Sequence, residues 1–299
     1  MLLALEIPDY VGFDNPDKNT GKMSTNGYEL EVGWNDKAGD FSYSVSVNFS
    51  DFLSEMGDLG GTQFIGDQVK MKGSQFNEWY GYISEGLFQT QEDLNNSAKI
   101  NNNVKVGDVK YKDISGPDGV PDGKISSEYD RVLLGGSLPR YMFGGNVSAK
   151  YKGFDFSMAF QGVGSQLVRL NSMMIEPLSE NWGNIPSILD GNYWSSLKSE
   201  VENAKARYPR LTRSNISSNQ AMSDFWLFNG RYVRLKNLTL GYTLPLSLTN
   251  KVSIDKIRIY ASANDLFCLS KFPKGWDPEM GSSSYPITTS LLLGVSVNF

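Results

Sequence analysis

Apolar and polar side chains alternate along much of this chain. At its end Leu291, Leu293, Val295, Val297 and Phe299 share one parity, while Ser290, Gly294, Ser296 and Asn298 share the other, with Leu292 the exception. In an extended strand successive side chains point to opposite faces, so this segment is a ribbon with one apolar and one largely polar side. Tyr28, Leu30, Val32 and Trp34 stand against Glu29, Glu31 and Gly33. After the turn-rich stretch 35–40, Phe41, Tyr43, Val45, Val47 and Phe49 stand against Ser42, Ser44, Ser46, Asn48 and Ser50, which predicts a hairpin. A second hairpin is predicted where Tyr141 to Tyr151 alternates, turns at Lys152-Gly153, and returns through Phe154, Phe156, Met158 and Phe160. Leu238, Leu240, Tyr242 and Leu244 form a further strand, and 256–264 returns after a turn at 245–255.

The connections between these strands alternate in length. They run short (35–40), long (51–140), short (152–153), long (163–230), moderate (245–255) and fairly long (265–288). Outer-membrane barrels have this asymmetry, with short periplasmic turns and long extracellular loops. There the apolar parity faces lipid and the polar parity faces the lumen, and Phe299 would end the chain on the periplasmic side. A soluble β-sandwich shows the same residue alternation and stays open as the alternative at this point. Within the second long loop, 195–206 is helix-compatible, with Leu197, Val201 and Ala204 on one face.

Composition narrows the function. Hydrophobic residues make up 40% of the 299 and mean hydropathy is −0.33. The apolar windows are far shorter than the roughly 18–20 residues of a helical span, but a barrel needs no such window, since only alternate residues meet lipid. A net charge of −5 without a basic cluster argues against nucleic acid. One cysteine, Cys268, and no histidine exclude an internal disulfide, histidine-based zinc sites and both Ser-His-Asp and Cys-His catalysis. The amino terminus, Met1 to Pro8, lacks a basic n-region and its apolar run breaks at Glu6, so it does not read as a secretory signal. Either the protein is cytoplasmic or this is the downstream part of a longer chain.

Two sets of residues carry candidate chemistry. The stretch 113–130 resembles a calcium loop, with Asp113, Ser115, Asp118, Asp122, Glu128 and Asp130 as oxygen ligands for a structural Ca2+ and Asp122-Gly123-Lys124-Ile125 as its best-fitting half. The alternative is an ordinary pair of Asp-Gly turns. Trp182, Tyr193, Trp194, Trp226 and Trp276 are candidates to stack on a sugar, against loop packing or a membrane girdle. Asp277 and Glu279 are the pair a glycoside hydrolase would need, but no other feature supports that chemistry, and no catalytic residue is assigned.

Several stretches in order resemble one family. They are Asn26-Gly27-Tyr28-Glu29-Leu30; Trp79-Tyr80-Gly81-Tyr82 with Glu85-Gly86-Leu87-Phe88; Gly107-Asp108-Val109-Lys110-Tyr111-Lys112-Asp113; and Asp122-Gly123-Lys124-Ile125 with Asp130-Arg131. Leu138-Pro139-Arg140-Tyr141, Gly153-Phe154-Asp155-Phe156-Ser157 and Phe160-Gln161-Gly162 follow. The last are Tyr232 to Tyr242, Asn264-Asp265-Leu266-Phe267 and Trp276-Asp277-Pro278-Glu279. Together they resemble the carboxy-terminal third of a SusC/RagA-like TonB-dependent outer-membrane receptor.

The resemblance implies an all-β fold, a partial transmembrane antiparallel β-barrel forming the last part of a 22-stranded barrel, with long extracellular loops. It implies that 1–299 is the carboxy-terminal segment of such a barrel, the plug domain and signal peptide being absent from this sequence. Location would be the outer membrane of a Gram-negative bacterium. Partners would be a SusD-like surface lipoprotein, the TonB complex through the missing plug, outer-membrane lipid and a glycan or peptide substrate. Leu291, Leu293, Val295, Val297 and Phe299 would be the barrel-assembly signal. About seven legible strands leave two unpaired edges, so the expectation is a truncated reading frame or fragment, with Met1 an internal start and no transport by this chain alone. A secreted carbohydrate-binding β-sandwich is the other reading.

Overall fold

The computed structural model describes residues 2–4, 12, 17–19, 21–170, 178, 185–212, 216–280, 285 and 287–299. Seven of its strands form one antiparallel sheet: β1 (Met23–Ala38), β2 (Phe41–Met56), β3 (Arg140–Tyr151), β4 (Phe154–Ser165), β5 (Tyr232–Thr243), β6 (Lys256–Ser270) and β7 (Ser290–Asn298). Each pairs with its neighbour in chain order, an up-and-down wall with no crossover.

The register aligns the parities read from sequence. Trp34, Val45, Val147, Met158, Leu238, Ala263 and Leu291 form one row across all seven strands. The next row, on the opposite face, is Asn35, Ser44, Ser148, Ser157, Thr239, Ser262 and Leu292. A one-residue slip in any strand would put its valines among the serines, so the separation of an apolar from a polar face fixes the register. Position 294 is on the polar face by parity and is glycine because the Tyr260 ring lies over it; a Cβ there would come within 2.3 Å of that ring.

The apolar face is open to its surroundings, with Leu291 75% and Leu293 88% exposed. No second sheet covers it among the described residues, and a sandwich requires one. At the short-turn end the apolar rows finish in aromatic contacts, Phe154 with Tyr242 at 4.5 Å and Phe41 with Tyr151 at 6.5 Å between ring centroids. This is the placement of an interfacial girdle. Among the described residues no helix is long and apolar enough to cross a membrane, which leaves crossing by strands untouched.

The first turn is shorter than predicted. Asn35 to Ala38 belong to β1, and only Gly39-Asp40 connect it to β2. These polar residues lie beyond the apolar band, where a strand can continue into water without an apolar side.

The long connections are one packed unit, a cap at the opposite end of the wall. Tyr82, Tyr111 and Ile125 from the β2–β3 connection, Leu189, Tyr208 and Trp226 from the β4–β5 connection, and Phe272 from the β6–β7 connection share one hydrophobic core. A four-stranded sheet (Gln63–Ile65, Gln68–Lys70, Glu78–Tyr82, Arg131–Gly136) frames it. The helix α1 (Gln91–Asn96), capped by Thr90, buries Leu94. The predicted helix over 195–206 shrinks to α2 (Glu200–Asn203), one turn held by a Ser199–Glu202 capping box. Leu197 (95% exposed) and Val201 (67%) face outward, so the periodic apolar face has no core beneath it.

Candidate functional site

The polar face of the wall is mostly short and uncharged. Asn237 Nδ2 donates to Asn264 Oδ1 (2.8 Å), and the hydroxyls of Thr239 and Ser262 meet at 2.9 Å. Arg258 on β6 pairs with Asp155 on β4 near the short-turn end, and a larger cluster of charge forms where β5 and β6 change register between Leu235 and Asn237, leaving Lys236 and Asp265 outside the regular pairing. Lys236 Nζ lies 2.7 Å from Asp265 Oδ1.

Against this face lies a strap from the β6–β7 connection. Arg234, nearly inaccessible, donates from Nη2 to Asp277 Oδ1 (2.5 Å), and its Nε lies 2.9 Å from Glu279 Oε2. Gln161 Nε2 on β4 donates to Glu279 Oε1 (2.6 Å), and Lys236 stands 3.6 Å from the same oxygen. Asp277 Oδ1 also accepts the Glu279 N–H (2.9 Å), closing the turn around Pro278. Two carboxylates and two cations thus fasten the strap to the wall, while Phe272 and Trp276 carry it into the cap core. Asp277 and Glu279 are neutralised structural anions, which removes the basis for a hydrolase pair.

The aromatic candidates separate on burial. Trp226 is 1% exposed, donates Nε1 to Asn219 O (2.6 Å) and packs against Tyr208 and Phe225, so it is a core residue with no face for a ligand. Trp194 is partly buried with its ring against Gly107, and Trp276 is partly buried on the same core. The ring of Tyr193 has the Lys198 ammonium 4.5 Å from its centroid. Trp182 lies outside the described residues.

In the acidic loop three of the carboxylates, Asp113, Asp122 and Asp130, accept from backbone N–H groups. Asp130, fully buried, accepts from Ile114 N (2.8 Å) and Ser115 N (3.2 Å) at Oδ1 and from Ser126 N (2.7 Å) at Oδ2. Asp113 Oδ2 accepts from Gly123 N and Asp122 Oδ1 from Lys124 N. Ile125 anchors the loop in the cap core, while Asp118 and Glu128 are exposed. Asp113 Oδ1 is buried without a hydrogen-bond partner. Among the described residues no three acidic or thiol side chains converge as a cation cage.

Sequence reasoning missed a second buried knot. Asp108, wholly buried, pairs with Arg210 Nε (2.7 Å), receives Asn219 Nδ2 (2.9 Å) and accepts from Lys105 N (2.7 Å). It ties the β2–β3 connection to the β4–β5 connection. Its aspartate falls in the Gly107 to Asp113 stretch, but its side-chain partners, Arg210 and Asn219, lie over a hundred residues away. At the cap surface burial alone would raise the Asp93 carboxyl. The Lys110 ammonium 2.8 Å away, together with the Gln89 N–H and the Ser97 hydroxyl, outweighs it and holds that carboxyl below the ordinary range.

Comparison with known proteins places this architecture. The whole chain aligns with TonB-dependent receptor P3 of Formosa agariphila at 26% identity, spanning 31% of that protein. It aligns with the TonB-dependent receptor SusC of Bacteroides thetaiotaomicron at 23%, spanning 29%. The chain resembles the SusC/RagA-like TonB-dependent receptors. Solved structures of the RagAB peptide transporter and of the RagAB peptide importer in its open-open state superpose on all of it with TM-scores of 0.73 and 0.72, at 21% and 20% identity. No family model matches. The chain spans about a third of the length of these curated relatives, and its seven-stranded sheet has the fold of a segment of the barrel wall in the RagAB structures. The relatives are receptors of the outer membrane, not enzymes.

Proposed function

We propose that this chain supplies carboxy-terminal wall strands and the packed outer cap of an outer-membrane importer. The importer takes up a glycan or peptide, works with a SusD-like surface lipoprotein and is energised through TonB. The observation that carries this reading is a seven-stranded wall with one continuous apolar face and one polar face, matched over its whole length by receptors of this kind. Among the described residues no strand pairs with the outer edges of β1 and β7, and an open edge in hydrocarbon would leave backbone groups unpaired, so this reading has further strands of the barrel beside them. The polar face lines the lumen, and the cap shapes the vestibule above it. Leu291, Leu293, Val295, Val297 and Phe299 form the lipid-side stripe of the closing strand.

The partner is tested by affinity isolation from native outer membranes. Co-isolation of a surface lipoprotein in stoichiometric amount is expected. Recovery of the chain in assembled barrels with no lipoprotein attached would contradict the partnership.

A further inference from the structure

At its short-turn end the apolar face is indented. A groove of about 600 Å3 lies between Phe41, Tyr151, Phe154 and Tyr242, with Ala149 and Ala261 among its lining residues. The register explains it. In the row Tyr43, Ala149, Phe156, Leu240, Ala261 and Leu293, two methyl groups stand where the flanking positions carry large side chains. The adjoining aromatic row walls the groove on the turn side, and Phe154 is 62% exposed over it. Lys152 follows in the two-residue turn, its ammonium 5.3 Å from the Tyr151 ring centroid.

We propose that this groove is a phospholipid site. It takes one acyl chain of a phospholipid of the periplasmic leaflet, and Lys152 holds the phosphate. The proposal rests on the reading of this face as lipid-facing. The recess is walled almost wholly by hydrocarbon, so water would find few partners in it, and its alanines are too short to fill it. Hydrocarbon chain is the material available at that depth. A lysine just past an aromatic row sits at headgroup level, where its charge complements a phosphate.

The test uses outer-membrane vesicles containing the chain and phosphatidylethanolamine with a photoactivatable acyl chain, followed by irradiation and adduct mapping. Adducts should concentrate at Ala149, Phe156 and Ala261, several-fold above Val45 and Val147 on the same face. Lys152→Glu, and Ala261→Phe, which fills the groove, should each cut groove adducts at least threefold and leave those at Val45 and Val147 unchanged. Even labelling over the apolar face, or groove adducts indifferent to both substitutions, would overturn the site while leaving the lipid-facing wall standing. Labelling of Ser44, Ser148 and Ser262 as strong as that of Val45 and Val147 would overturn the wall reading, and the site with it.

Discussion

Arg234 sits on a strand face otherwise furnished with asparagine and threonine, and both of its carboxylate partners come from the strap. Replacing it with methionine would strand Asp277 and Glu279 against the wall without their guanidinium. Leaving a buried pair with one member costs about 3–5 kcal/mol. Arg234→Met should therefore release the strap, read as faster hydrogen exchange at Trp276 and Met280, and unchanged exchange would show that the ion pairs are incidental. Trp226→Ala removes a fully buried ring and should cost the cap about 3–5 kcal/mol in chemical denaturation. A change under about 1 kcal/mol would mean that the ring is not part of the core. Neither role was legible at residue scale. Tryptophan suits a core and a binding face equally, and the partners of Arg234 lie 43 and 45 residues on, across an irregular connection.

The wall strands were legible element by element, because a period of two survives wherever one face meets an apolar medium. Their ends were not, since Asn35 to Ala38 extend β1 past the apolar band with no pattern to mark them. The one-turn α2 escaped for the converse reason: Leu197 and Val201 keep a helical spacing but bury nothing. For β7 the parity has a cost attached. Leu291→Lys, near the middle of the band, should impair membrane assembly by about 2–4 kcal/mol, and Val295→Lys, nearer the interface, by less. Ser290→Lys, on the polar face, should be tolerated. Equal loss of assembled protein in all three would remove the lipid-side assignment. In the cap, Lys110 bridges from the Val109–Tyr111 strand to Asp93 on α1. A depressed carboxyl stabilises the fold above its unfolded pKa, and that contribution fades as pH falls through the lower folded value. Lys110, raised by the same hydrogen bond, keeps the pair charged up to the lysine range. Wild-type cap stability should therefore fall more steeply on acidification than that of Asp93→Asn, which lacks the pair at every pH; the difference between the two should shrink from about 0.5–1 kcal/mol at neutral pH towards zero in acid, and an identical profile would dismiss the pair.

At the scale of the molecule, the sheet and the cap solve two different burial problems. The cap buries its apolar side chains in its own core, built from three connections that are distant in sequence, so it could not be anticipated from any one of them. The wall leaves its apolar side chains outside, and only a hydrocarbon surrounding makes that arrangement stable. The alternation of short turns with long connections anticipated which end carries the cap. In the acidic loop Asp113, Asp122 and Asp130 take backbone N–H groups, and in the strap Asp277 and Glu279 meet arginine, partners that local motifs do not display. The lipid-facing wall is the claim on which the rest stands. It is measured directly by single-cysteine scanning of β2, β3 and β5 in outer membranes, in a Cys268→Ser background, with a polar thiol reagent and a lipid-soluble quencher. A strict period of two is expected: quenching from the lipid at Val45, Val147 and Leu240, and labelling from water at Ser44, Ser148 and Thr239. Uniform labelling from water along all three strands would contradict it.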